Sequence, residues 1–124
     1  MIVGNGQNWL PRTARRSKRL GLAMPVFVFG QSIFQETFSE STRTISVNAY
    51  GGAFRIGVRV EKGQSILLVN RMTRQEQECR VAHVGVLKDG KWTVGVEFAK
   101  PNLNFWRVHF PPQSDTRANG LKTA

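Results

Sequence analysis

Lys88-Asp89-Gly90-Lys91-Trp92-Thr93-Val94-Gly95-Val96-Glu97-Phe98 is the stretch that decides the fold. From Lys91 to Phe98 the residues alternate. Trp92, Val94, Val96 and Phe98 share one face of a strand, and Lys91, Thr93, Gly95 and Glu97 take the other. Asp89-Gly90 immediately before it is a strong signal for a two-residue hairpin turn, because both central positions of that turn need positive φ. The preceding Glu76–Val86 then becomes the partner strand.

Working outward, the same β character recurs at short intervals. Met24 opens a run in which Val26–Phe29 is β-branched and aromatic. Thr42, Thr44, Ser46 and Asn48 alternate with Arg43, Ile45, Val47 and Ala49, which predicts a half-buried strand with Ile45, Val47 and Ala49 on its apolar face. Ala53–Ile56 follows Gly51-Gly52, and the Glu61-Lys62-Gly63-Gln64 turn leads into Ser65–Asn70. Six short strands joined by glycine-containing turns, with no long helical period, predict an all-β antiparallel barrel or sandwich. Asn104–Phe110 is expected to add a short C-terminal helix that packs Phe105, Trp106 and Phe110 on the barrel and ends at Pro111-Pro112.

The chain has 124 residues, which favours one domain with one modest core. Three regions are expected: a flexible lead-in at 1–11, the barrel with its arm at 12–112, and a disordered polar tail at 113–124. No apolar run approaches the ~20 residues of a membrane-spanning helix, and the N-terminus lacks the charged start and apolar block of a secretory leader. Cys79 is the only cysteine and has no internal partner, which fits a reducing cytoplasm.

Charge is uneven. Eighteen Lys and Arg against eight Asp and Glu give +10, and Arg12, Arg15, Arg16, Lys18 and Arg19 supply half of that within eight positions. Such a balance attracts polyanions. The enzyme reading finds little to stand on. The two histidines, His83 and His109, are isolated. No His/Cys spacing suits zinc, Cys79 has no base beside it, and no Gly-rich phosphate loop opens a helix. The chain is therefore expected to bind rather than catalyse, with no metal and no resident cofactor.

Two elements suit binding. Arg15-Arg16-Ser17-Lys18-Arg19 offers guanidinium forks that match phosphate oxygens and the O6/N7 edge of guanine. Ser46-Val47-Asn48-Ala49-Tyr50-Gly51-Gly52 places Ser46 and Asn48 on one strand face beside a glycine reversal. In this order the two resemble the PilZ domain, whose pattern is an Arg-x-x-x-Arg arm followed by Asp/Asn-x-Ser-x-x-Gly. Arg15–Arg19 matches the arm, and Arg12–Arg16 has the same spacing. Gly63-Gln64, Glu78–Val81, Val94–Phe98 and Asn104–Pro112 are similar to single-domain PilZ proteins.

The resemblance implies a six-stranded PilZ-type β-barrel that binds cyclic di-GMP, with Arg15, Arg16, Arg19, Ser46, Asn48 and Gly51 at the site. It implies signalling by ordering of the arm on the barrel toward a protein partner. The second motif departs from the pattern. Aligned on Gly51, Ser46 stands where Asp or Asn is expected and Asn48 where Ser is expected. Starting instead at Asn48 puts Tyr50 at the Ser position and Ala53 at the Gly position. The alternative is thus a degenerate PilZ domain that works as a protein-interaction module. A nucleic-acid-binding barrel, stacking bases on Tyr50, Phe54 and Trp92, ranks last, because those aromatics fall mostly on the core-type face.

Overall fold

The computed structural model describes residues 18–108 and Phe110. The lead-in, the arm positions Arg12, Arg15 and Arg16, and the tail lie outside these residues. Six strands form: β1 (Pro25–Gln31), β2 (Thr37–Asn48), β3 (Gly51–Ile56), β4 (Ser65–Asn70), β5 (Glu76–Lys88) and β6 (Lys91–Phe98). All pairs are antiparallel, and the order β1-β2-β3-β6-β5-β4 closes through β1 and β4 into a barrel. Closure gives every strand a neighbour on both sides.

The alternation seen in the sequence builds the interior. Val26 and Val28 of β1, Phe54 and Ile56 of β3, Ile66 and Leu68 of β4, Cys79 and Val81 of β5, and Val94, Val96 and Phe98 of β6 all point inward and are buried. Asp89 and Gly90 have φ of 54° and 77°, the two positive values that a type I′ turn requires. On β1 the aromatic residues face outward. Phe27 and Phe29 lie 6.1 Å apart, with the Arg71 guanidinium 4.6 Å from the Phe27 ring centre.

Two expectations change. The alternation of β2 is interrupted by a β-bulge: Thr44 pairs with Phe54 and Ser46 with Ala53, leaving Ile45 without an opposite residue. Thr44 therefore turns inward and is buried, while Ile45 is 46% exposed; beyond the bulge Val47, Asn48 and Ala49 are all buried. The apolar face assigned to Ile45, Val47 and Ala49 is thus not a single face.

The C-terminal helix is also absent among the described residues. The segment is instead a pair of tight turns, in which Phe105 N–H donates to the Asn102 carbonyl (3.2 Å) and Arg107 N–H to the Asn104 carbonyl (3.1 Å). Arg107 has φ of 64°, which a continuing right-handed helix cannot contain. Anchoring to the barrel is stronger here than the modest helix propensity of Asn, Phe and Trp. The packing expectation itself holds: Phe105 and Trp106 are fully buried, and Phe110 packs against the core.

No helix among the described residues is long and apolar enough to cross a membrane.

Candidate functional site at the arm end of the barrel

The topology sorts the connections to two ends. Segments 18–24, 49–50, 71–75 and 99–108 lie at one end, here termed the arm end; segments 32–36, 57–64 and 89–90 lie at the other. The arm-end segments carry Lys18, Arg19, Arg71, Arg74, Lys100 and Arg107 and no acid. The opposite segments carry Glu36, Glu61 and Asp89 against Arg59 and Lys62. Glu76 and Glu97 at the strand tips offset part of the arm-end charge, and Lys88 and Lys91 flank the opposite turn, but the excess of cations still lies at the arm end, which favours anions there.

The chain entering the barrel is fastened to β2. Leu20 N–H donates to the Val47 carbonyl (2.8 Å) and Val47 N–H to the Leu20 carbonyl (2.9 Å), an isolated antiparallel bridge. Thr44, turned inward by the bulge, completes the fastening. Its N–H donates to the Met24 carbonyl (2.9 Å), and its Oγ1 accepts from Met24 N–H (2.8 Å) and donates to the Leu22 carbonyl (2.5 Å). In that antiparallel register Arg19 sits level with Asn48 and Gly21 level with Ser46. The structure therefore brings the last arginine of the arm to the second motif.

Within that motif the residues have distinct surroundings. Ser46 is half-buried. Asn48 is fully buried, and its Oδ1 accepts from Tyr50 N–H at 2.9 Å, an Asx turn that shapes the two-residue β2–β3 connection. Gly51 lies against β6: a Cβ there would fall 2.0 Å from the Val96 carbonyl oxygen. Its own carbonyl accepts from Trp106 Nε1–H at 3.0 Å. A Cβ on Gly52 would meet the Trp106 ring at 3.1 Å. The paired glycines thus admit β6 on one side and the indole on the other, a reason for them that no β-turn signal in the sequence reveals.

Three features of this end were not legible as site residues. Asn70 is buried; its Nδ2 donates to the Phe105 carbonyl (2.8 Å) and its Oδ1 accepts from Met72 N–H (2.9 Å), so one side chain holds both the C-terminal segment and the β4–β5 turn. Phe105 and Trp106 stack edge-on at 4.8 Å and close the barrel with Phe98. Beside this plug opens a cleft of about 680 Å³. Ala49, Leu103, Val108 and Phe110 form its apolar lining, and Gln75, Asn104 and Arg107 its polar lining. The only hint in the sequence was the position of Arg107 directly after Phe105-Trp106.

Among the described residues, the chemistry-bearing side chains elsewhere are not assembled into a site. No group of three or more His, Cys, Asp or Glu that could hold a metal occurs among the described residues. Cys79 is buried, and burial, aided by the Glu78 carboxylate, pushes its thiol pKa far up, which disfavours the nucleophilic thiolate. Phe54 has no exposed surface and offers no stacking face to a base, leaving the nucleic-acid reading without one of its three aromatics.

Among solved structures the chain is similar to the Bacillus subtilis inhibitor of motility, MotI/DgrA, at a TM-score of 0.57 and 18% identity, over 88% of this chain and 53% of that one. The fold is PilZ-like. This chain spans about half the length of that neighbour. No protein-family model and no curated protein matches the sequence.

Proposed function

We propose that the chain is a cyclic di-GMP receptor domain of the PilZ type, which on binding fixes its arginine arm against the barrel and presents a surface to a partner protein in the cytoplasm. The observation that carries this reading is the Leu20–Val47 bridge, which sets Arg19, the last arginine of the run, level with Asn48 at an end whose connections hold six cations and no acid. Arg15 and Arg19 grip phosphates, and Arg16 assists or stacks. Each charge-assisted hydrogen bond contributes roughly 1.5–3 kcal/mol, which offsets the entropy lost by the arm. A structural neighbour that inhibits motility supports a regulatory role rather than a catalytic one.

A second reading, a protein-interaction module without nucleotide, is favoured by Asn48. Its Oδ1 already accepts from Tyr50 N–H, and Gly51 has a packing reason of its own.

Calorimetric titration with cyclic di-GMP at physiological salt, with GTP as control, tests the two. Micromolar or tighter binding that GTP does not reproduce supports the receptor. Arg15→Ala with Arg19→Ala is then expected to abolish it with an unchanged β-sheet spectrum. A folded protein that gives no heat moves the reading to the interaction module.

A further inference from the structure

The second motif lacks the carboxylate that would accept from guanine N1–H and N2–H, and the Asn48 carbonyl oxygen is engaged in its own turn. A guanine-specific site needs its base-reading groups elsewhere. The cleft at the arm end holds them. Arg107 and Asn104 meet through backbone atoms, the Arg107 N–H donating to the Asn104 carbonyl. Gln75 uses its backbone N–H on Thr73 Oγ1 and its carbonyl on Asn70 N–H. The side chains of Arg107, Asn104 and Gln75 make no hydrogen bond or ion pair with the other described residues, yet all three line the cleft.

We propose that this cleft is the guanine-reading part of the site, with the Arg107 guanidinium on the O6/N7 edge and the Gln75 and Asn104 amides on the N1–H and N2–H edge. The inference rests on the cyclic dinucleotide reading above. The volume, about 680 Å³, falls in the range of small-molecule pockets, roughly 300–1,000 Å³. The apolar lining of Ala49, Leu103, Val108 and Phe110 suits the faces of a purine. A guanidinium fork matches O6 and N7, and a side-chain amide carbonyl accepts from N1–H or the exocyclic amine. The Arg107 backbone is anchored: its left-handed conformation follows Trp106, whose indole N–H donates to the Gly51 carbonyl. Arm arginines then hold phosphates, which all cyclic dinucleotides share, while the cleft distinguishes the base.

The test is calorimetric titration of the full chain with cyclic di-GMP and cyclic di-AMP. The parent is expected to prefer the guanine dinucleotide at least tenfold. Arg107→Lys, which keeps the charge and loses the fork, and Gln75→Ala, at an exposed position, are each expected to weaken cyclic di-GMP about tenfold or more, leaving cyclic di-AMP unchanged. Arg15→Ala weakens both ligands together. Arg107→Gly, which suits a φ of 64°, replaces the lysine variant if that one is misfolded. Variants that bind and keep the parent's preference overturn the guanine-reading cleft and leave the receptor standing. A folded parent that binds neither dinucleotide overturns both.

Discussion

Replacing Gly51 with Ala is the sharpest test of how this barrel end is built. The added Cβ would lie 2.0 Å from the Val96 carbonyl oxygen, 3.0 Å from its carbon and 3.1 Å from Glu97 Cα. All three are backbone atoms, so no side chain can swing away. To restore even a 3.0 Å contact, β3 and β6 must separate by about 1 Å. Two hydrogen bonds lie on that seam: Phe98 N–H to the Tyr50 carbonyl (2.7 Å) and Trp106 Nε1–H to the Gly51 carbonyl (3.0 Å). Losing both, with a buried indole N–H left unsatisfied, costs about 3–5 kcal/mol. The reduced freedom of the unfolded chain returns ~0.4–1 kcal/mol. The net loss is about 2–4 kcal/mol, a fall in Tm of roughly 8–16 °C for a domain of this size. Urea and thermal unfolding followed by far-ultraviolet circular dichroism measure it. Gly21→Ala serves as the control, because its Cβ would meet nothing closer than the Ile45 carbonyl oxygen at 4.0 Å. A Gly51→Ala protein within about 0.5 kcal/mol of the parent, the usual range for an innocuous surface change, would show that the seam relaxes and that Gly51 is not a packing residue.

Asn48→Ala removes the buried acceptor for Tyr50 N–H and is expected to cost about 1–3 kcal/mol, whereas Ser46→Ala, at a half-buried position, stays within about 0.5 kcal/mol; paired urea titrations separate them. Cys79 gives a pH signature. Its folded pKa is raised above the ordinary 9.0, so below pH 9 the thiol is protonated in both states and adds no pH dependence. Above pH 9 the unfolded thiol ionises while the buried one does not, and stability falls by up to ~1.4 kcal/mol per pH unit. Urea unfolding at pH 8 and pH 10 is expected to show this slope in the parent and its loss in Cys79→Ala; an identical slope in the two proteins would place its origin elsewhere.

The sequence determined the strands because their signal is local. Ser65–Asn70 and Lys91–Phe98 have the expected ends in the structure, and Asp89-Gly90 turns with the expected pair of positive φ values, since alternation and turn chemistry act between near neighbours. The arm and the Ser46–Gly51 stretch were also visible in the sequence as candidate ligand residues. What they touch was not. Ile45 turns out and Thr44 turns in because a bulge opposite β3 shifts the register, and a bulge is a property of two strands, not one. Asn104–Phe110 has apolar residues at helical spacing, yet the buried Asn70 amide and the Gly51 carbonyl capture its backbone and indole and hold it in turns. The cleft joins Ala49, Gln75 and Arg107, residues 26 and 32 positions apart in the chain, only because the closed barrel gathers its connections at one end. Local periodicity made the strands legible. The site depends on distant backbones meeting at a few ångströms, and that is settled only when the barrel closes.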